Sequence, residues 1–172
     1  MALINTQLLV SLSTLFTGTP PISGSTPQLP VAYAQSIGLG QGTGAGQADR
    51  LWISGGRTLA GSANEDLDLA GTLTDAFGAT FTLARVKGVI VASAAANAND
   101  VVVGGAAANG FISPFGSATD KVKVKPGGVL ALFAPDATAY TVTAATADLL
   151  RVTNGGAGTS VTYDIAVIGS SV

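Results

Sequence analysis

The clearest indication of the fold is the segment Lys121–Ala134, which reads Lys-Val-Lys-Val-Lys-Pro-Gly-Gly-Val-Leu-Ala-Leu-Phe-Ala. Its first five residues alternate lysine with valine, which is typical of a strand at the exposed edge of a sheet. A Pro-Gly-Gly turn follows, and Val129–Ala134 then forms a strand that is apolar on both faces. Each of the two faces of such a strand has to be covered by another part of a protein. The segment therefore predicts a β-sandwich that covers one face of this strand and a neighbour that covers the other.

Short strands separated by turn residues extend in both directions from this segment. The predicted strands are Leu51–Ile53, Glu65–Leu69, Thr80–Val91 (one long strand, or two joined at a bulge near Gly88), Val101–Val103, Phe111–Ile112, Tyr140–Thr143, Asp148–Val152 and Val161–Ile168. Leu73–Phe77 fits one helical turn. Roughly eight or more strands spaced about 8–15 residues apart are typical of a sandwich or jelly roll. We predict an all-β, jelly-roll-like β-sandwich over residues 49–172.

Residues 1–48 have a different composition. They contain no charged residue, four of the seven prolines, and the glycine-rich stretch Gly38–Gly46. Their first part is nevertheless apolar at Leu8, Leu9, Val10, Leu12, Leu15 and Phe16. We expect an extended N-terminal arm that becomes ordered on other subunits, with a flexible, contact-poor hinge at Gly38–Gly46. The alternative is a strand and loop folded onto the chain's own domain.

The composition excludes several classes of function. The chain of 172 residues contains neither Cys nor His, which removes disulfides, thiolate nucleophiles, the commonest general base and the commonest metal ligand. Eight basic and ten acidic residues leave no basic surface for nucleic acid or an anionic membrane. Charged residues make up 10% of the chain, against about 25% in ordinary soluble proteins. Copies of the chain or a partner should therefore cover much of its surface.

Two further patterns bear on the location of the protein. No apolar run reaches the roughly 18 residues of a membrane-spanning helix. No Lys or Arg precedes Arg50, which argues against a signal peptide. We expect a protein made in the cytoplasm and not secreted.

The candidate chemical groups favour structural roles. Glu65, Asp66 and Asp68 lie in an alternating strand and are expected to form a solvated acidic face with the leucines inward. Five other aspartates, at positions 100, 120, 136, 148 and 164, lie near turns, where aspartate bonds its own backbone. Gly38–Gly46 lacks the strand, helix or Gly-Lys-Ser context of a phosphate-binding loop. We therefore predict no catalytic residue, no cofactor site and no metal site.

The apolar residues supply the candidate partner contacts. Most aromatic residues fit core packing better than a sugar-binding platform, and Trp52, beside the arm, is kept as a contact residue. The predicted partner contacts are Leu8, Leu9, Val10, Leu12, Leu15, Phe16, Trp52, Leu130 and Leu132.

Five stretches resemble small proteins encoded among the head genes of tailed bacteriophages. They are Ala48–Trp52, Arg57–Gly71, Asn99–Gly105, Lys125–Gly128 and Asp148–Asn154. The chain resembles virion structural proteins of the capsid decoration (cement) type over most of residues 48–172. The resemblance implies a jelly-roll fold, a trimer on the capsid surface and no catalytic motif.

These observations lead to one expected function and two alternatives. We expect a non-enzymatic homotrimer that binds the major capsid protein and stabilises the shell. The first alternative is a head- or tail-fibre module that binds host surface glycans. The second is a carboxylate-dependent glycosidase or lyase, which needs two converging acids, whereas the chain contains one Glu.

Overall fold

The structure, a computed structural model, describes residues 2–18, 24 and 26–172. These residues form fourteen β-strands and no helix. The strands are β1 (Thr6–Thr17), β2 (Gln28–Gln41), β3 (Gln47–Ala48), β4 (Arg50–Leu59), β5 (Asn64–Asp68), β6 (Ala70–Thr74), β7 (Thr80–Thr82), β8 (Arg85–Ser93), β9 (Val101–Gly104), β10 (Lys121–Val124), β11 (Val129–Phe133), β12 (Tyr140–Thr141), β13 (Leu149–Asn154) and β14 (Val161–Ser170). The all-β prediction is confirmed.

Nine of the strands build two antiparallel sheets, and eight of these form the main strand orders. The four-stranded sheet has the order β10-β9-β13-β5, and the five-stranded sheet has the order β11-β8-β14-β4, with β12 paired to β8. The pairing is nested, because β4 pairs with β14, β5 with β13, β8 with β11 and β9 with β10. The first of the eight strands therefore lies beside the last, and the two sheets form a β-sandwich.

The core lies between the two sheets and follows from alternation along each strand. In β13, Leu150 and Val152 point inward, and in β8 Val89 and Val91 do so. Phe81 is completely buried, and its ring lies 6.4 Å from that of Trp52. Burial of each such side chain contributes about 1.5–3 kcal/mol.

The segment Lys121–Phe133 adopts the predicted strand–turn–strand arrangement at the edges of the two sheets. Strand β10 is an edge strand of the four-stranded sheet, and Lys121 and Lys123 are exposed on it. Strand β11 is an edge strand of the five-stranded sheet. Its residues alternate, with Leu130 and Leu132 packed against the core and Val129 64% exposed.

Three local predictions differ from the structure. Leu73–Phe77 is not helical, because β6 runs to Thr74 and the Asp75 side chain then accepts the backbone N–H groups of Phe77 and Ala79 in a turn. Thr80–Val91 is divided between β7 and β8 at Leu83 and Ala84, not at Gly88, and the register shift beside Gly88 forms a bulge within β8. Phe111–Ile112 forms no strand, although Phe111 is buried and its N–H donates to Leu149.

The N-terminal region forms a long antiparallel hairpin, β1–β2, with twelve paired positions. Strand β3 adds to β2 in parallel. Pro20 and Pro21, part of the predicted linker, lie outside the described residues. The boundary between residues 48 and 49 stays a prediction.

The hinge expected at Gly38–Gly46 is corrected. Gly38 and Gly40 belong to β2, where Gly38 pairs with Gln7 of β1 and Gly40 pairs with Gln47 of β3, and the intervening Leu39 is only 4% exposed. The following turn is also anchored, since the Gly46 N–H donates to the Pro135 carbonyl at 2.7 Å. A buried leucine and these hydrogen bonds give the stretch the contacts that its glycine content does not predict.

A glycine substitution tests the packing at the bulge. A Cβ added to Gly169 would lie 2.1 Å from the Arg85 carbonyl oxygen, whereas one added to Gly38 meets nothing within 4 Å. We expect Gly169→Ala to lower the free energy of unfolding by about 1–3 kcal/mol, because the backbone has to move. Gly38→Ala, the matched control, should stay within about 0.5 kcal/mol of wild type. Chemical denaturation measures both, and equal values for the two variants would contradict this packing.

Candidate interaction surfaces

One face of the β1–β2 hairpin is mainly apolar, and Thr14 and Gln35 are its polar members in the exposed part. Opposite residues of an antiparallel pair share a face, and the register places Leu12 opposite Tyr33 and Phe16 opposite Leu29. We call the exposed apolar residues of this side the hairpin face: Val10, Leu12, Phe16, Leu29, Val31 and Tyr33. The opposite side is mostly small or polar, as in the pairs Ser11–Ala34 and Ser13–Ala32.

The distal part of the hairpin contacts little else in the chain. Residues 9–17 and 28–36 are all exposed, and the members of the hairpin face are between 37% (Val31) and 69% (Phe16) exposed. A two-stranded ribbon cannot bury a side chain by itself and is marginally stable alone in water. The hairpin face is therefore an exposed apolar surface that the rest of the described chain does not cover.

The base of the hairpin is packed against the outside of the five-stranded sheet. Leu8 and Leu39 are buried there with Ala48 and Ile168. Gly88 leaves room for this contact, because a Cβ at its position would lie 3.2 Å from Leu8 Cδ1 and 3.0 Å from Ile168 Cγ2.

The rest of this outer surface is apolar and uncovered. The register aligns Ile90 with Ala166 and Ala131, and Ala166 with Ile53, so all four point away from the core. We call this surface the sheet face: Leu51, Ile53, Ile90, Ala92, Val129, Ala131 and Ala166. Ile53 is 59% exposed. Asp164 lies at the end of this surface and accepts the Gly56 N–H at 2.7 Å.

The predicted contact residues fall into three groups. Leu9, Val10, Leu12, Leu15 and Phe16 are exposed on the hairpin. Leu8 is buried at the hairpin base.

Trp52, Leu130 and Leu132 form the third group. They point into the core, so packing within the sandwich accounts for their apolar character.

Several residues of the two faces were missed by sequence reasoning. On the hairpin, the missed residues are Leu29, Val31 and Tyr33, and their two-residue period was the available signal for a strand with one apolar side. Ile53 and Ile90 had no such signal, because both lie in strands whose two faces are apolar.

The predicted acidic face is corrected at Glu65, which lies on the same side of β5 as Leu67. Glu65 accepts hydrogen bonds from Arg57 Nε at 3.1 Å and from the Tyr163 hydroxyl at 2.6 Å. The Arg57 guanidinium lies 5.7 Å from the centre of the Trp52 ring. Because Arg57 and Tyr163 belong to the five-stranded sheet and Glu65 to the four-stranded sheet, this cluster joins the two layers.

The cluster shifts the pKa values of its members. Burial alone would raise the pKa of Glu65, but the hydrogen bonds from Arg57 and Tyr163 and the charge of Arg57 hold that pKa below its usual value. Burial and the hydrogen bond to Glu65 raise the pKa of Tyr163. Glu65 is therefore an ionised acceptor between two donors.

The remaining acids also have local structural partners. Asp66 forms two hydrogen bonds to Arg151 at 2.7 Å, and Asp100 pairs with Lys125 at 2.9 Å. Asp148 accepts the Ala145 N–H at 2.6 Å. No group of three or more potential ligand side chains is close enough to hold a metal ion within residues 2–18, 24 and 26–172.

A buried lysine fixes the loop that receives the hairpin base. Lys87 is fully buried, and its Nζ donates to the Asp136 carbonyl oxygen, next to Pro135. Burial lowers the pKa of Lys87, and the Asp136 carboxylate partly offsets this. Hydrogen bonds from the Thr138 side chain, and from the backbone of Ala139 and Thr138, lower the pKa of Asp136 to about 2.

The comparisons with known proteins add no relative. No protein-family model matches the chain, and neither the curated proteins nor the solved structures contain a match to it. In the part of the chain that the structure describes, no helix is long and apolar enough to cross a membrane.

The Glu65 cluster predicts a pH dependence of stability. A carboxyl group whose pKa is lowered by folding stabilises the protein above its unfolded pKa, here 4.5, and loses this effect as the pH falls through the lower folded value. Glu65→Gln should cost about 1–3 kcal/mol at pH 7, because it breaks a charged hydrogen-bonded pair. Urea unfolding at neutral and acidic pH tests this. The loss relative to wild type should shrink at acidic pH, and a constant difference would contradict the assignment.

Proposed function

We propose that the protein is a non-enzymatic structural component of a tailed-bacteriophage particle. Its role is that of a capsid decoration protein, which self-associates, binds the outer surface of the major capsid protein and stabilises the shell. The observation that carries this proposal is the pair of exposed, uncharged apolar surfaces on one small domain, the hairpin face and the sheet face.

Exposed apolar surface of this extent favours permanent assembly. A monomeric soluble protein rarely exposes a contiguous apolar patch larger than a few hundred Å². The hairpin face alone exposes six large apolar side chains, five of them more than 40%, and residues 1–48 contain no charged residue that would keep them solvated. A protein that works within an assembly has both surfaces covered.

The resemblance to phage head proteins and the strand pairing support the assignment to a particle. We interpret the nested pairing of the eight sandwich strands, first with last, as that of a jelly roll, the fold that the resemblance implies. Capsid proteins are among those that use this architecture.

The placement of the polar groups supports a structural function over a hydrolytic one. Glu65 is held by Arg57 and Tyr163 between the two sheets. A glycosidase needs a second carboxyl group facing the first across a substrate, about 5–9.5 Å away. The nearest polar neighbours of Glu65 are instead its two hydrogen-bond donors.

The glycan-binding alternative has less support from the aromatic residues. A sugar platform needs an exposed ring beside polar groups, whereas Trp52 and Tyr163 are 6% and 1% exposed. Phe16 and Tyr33 are exposed, but they lie on the hairpin face among aliphatic side chains. Phe77 is also exposed, in a turn where the Asp75 carboxylate already accepts the backbone N–H groups of Phe77 and Ala79.

The proposal predicts that the protein is an abundant, multi-copy component of purified phage particles. Quantitative mass spectrometry of particles should find it at a fixed ratio to the major capsid protein. Its absence from particles would overturn the proposal. So would glycan hydrolysis that is abolished by Glu65→Gln, because that result would assign the protein to an enzyme class.

Deletion of residues 2–46 tests the role of the hairpin. We expect the remainder to keep its β-type circular dichroism and cooperative melting, because the main core lies between the sheets. The melting temperature should fall, since Ile168 and Phe133 lose the cover of Leu8 and Leu39. Attachment to empty capsids should weaken at least tenfold, because a protein that no longer associates loses multivalent binding.

Two results would contradict this prediction. If the truncated protein fails to fold, the hairpin belongs to the folding core. If it folds and binds capsids as tightly as the full chain, the hairpin has no part in attachment.

A further inference from the structure

We propose that the hairpin face of one copy docks on the sheet face of a second copy, so that the chain assembles head to tail through its own two apolar surfaces. The proposal names the contact through which copies of the chain associate. It rests on the self-association in the proposed function and does not depend on binding to a capsid. Absence of the protein from phage particles would leave it standing.

The first argument is the absence of charge from both surfaces. The hairpin face lies in a segment without a single charged residue. On the sheet face, the terminal Asp164 already accepts the Gly56 N–H. A charged partner surface would lose its hydration on either face without gaining a counter-charge. A second copy supplies the matching uncharged surface in each case.

The second argument is continuity with a contact that the chain already makes. At its base, the hairpin packs Leu8 against Gly88 and Ile168 on the outside of the five-stranded sheet. In the adjacent row of the same sheet surface, Ile53 is exposed and Ala166 and Ile90 are partly exposed. A hairpin face from another copy would extend the same kind of packing across this row.

The third argument is size. Residues 9–17 of β1 span about 30 Å at about 3.3 Å per residue, similar to the length of the ten-residue strands β4 and β14. Six side chains that bury roughly 100 Å² each give on the order of 600 Å² from the hairpin alone, near the 800 Å² per partner of a standard interface.

Head-to-tail docking covers both surfaces with one type of contact. Pairing of two hairpin faces around a two-fold axis would leave the sheet face exposed on both copies. A heterologous contact occupies the hairpin of each copy and the sheet of the next, and it closes into a ring when the rotation allows it. Cyclic closure agrees with the trimer expected above.

The test uses two variants that each damage one surface. Leu12→Glu places a charge on the hairpin face, and Ile53→Glu places one on the sheet face; both positions are 59% exposed. Light scattering at micromolar concentration should give the 16.9 kDa monomer mass for each variant and a multiple of it for wild type. Each substitution should weaken association at least 100-fold.

Ser13→Glu is the matched control. It adds the same charge to the neighbouring residue of β1, on the opposite side of the hairpin, where its partner is Ala32. This variant should associate like wild type. Phe16→Glu, at another exposed position of the hairpin face, should reproduce Leu12→Glu, and circular dichroism should show that every variant is folded.

A mixture of the Leu12→Glu and Ile53→Glu variants distinguishes head-to-tail docking from pairing of identical surfaces. Ile53→Glu keeps an intact hairpin face and Leu12→Glu keeps an intact sheet face, so a one-to-one mixture should form a heterodimer of twice the monomer mass. If the mixture stays monomeric, the contact is between identical surfaces or with another molecule, and the proposal is wrong. It is equally wrong if wild type is a monomer or if Leu12→Glu still associates.

Discussion

The antiparallel pairing of β8 with β14 is the interaction on which the other features depend. These two strands form the centre of the five-stranded sheet, and one side of them carries Val89, Val91, Ile165 and Val167 into the core. Their other side carries Gly88, Ile90, Ala166 and Ile168. A strand pair that is apolar on both sides needs two covering layers. The four-stranded sheet provides one layer, and the hairpin base provides a part of the other.

The sequence predicts the first covering layer better than the second. The doubly apolar stretch Val129–Phe133 is a local signal, and it correctly indicated a strand of a sandwich. The neighbour expected on its outer face stays a prediction, and Val129 on that face is 64% exposed. The register of β1 with β2 is a different kind of information, because it pairs residues such as Leu12 and Tyr33 that are 21 positions apart. Strand propensities did not predict these strands, because prolines and glycines lie in and around them. The pairing nevertheless satisfies the backbone hydrogen-bonding groups of the two strands.

The polar cluster shows the same limit at the level of single residues. Glu65 could be assigned to a strand from its neighbours, and strict alternation already placed it on the side of Leu67. Its partners, Arg57 and Tyr163, come from strands that are 8 and 98 residues away. Only the stacking of the two sheets brings these groups together, and it turns an apparently solvated acid into a link between layers.

The absence of charge from the first 48 residues also determines how the hairpin responds to its surroundings. Attraction between uncharged apolar surfaces is entropic near room temperature and becomes weaker on cooling. Sodium chloride screens it little, because screening acts on charges, whereas sulfate strengthens it by exclusion from the protein surface. In the docking proposed above, a hairpin of this composition therefore holds a second copy most firmly in warm solutions and across a wide range of ionic strength, and cooling weakens the contact.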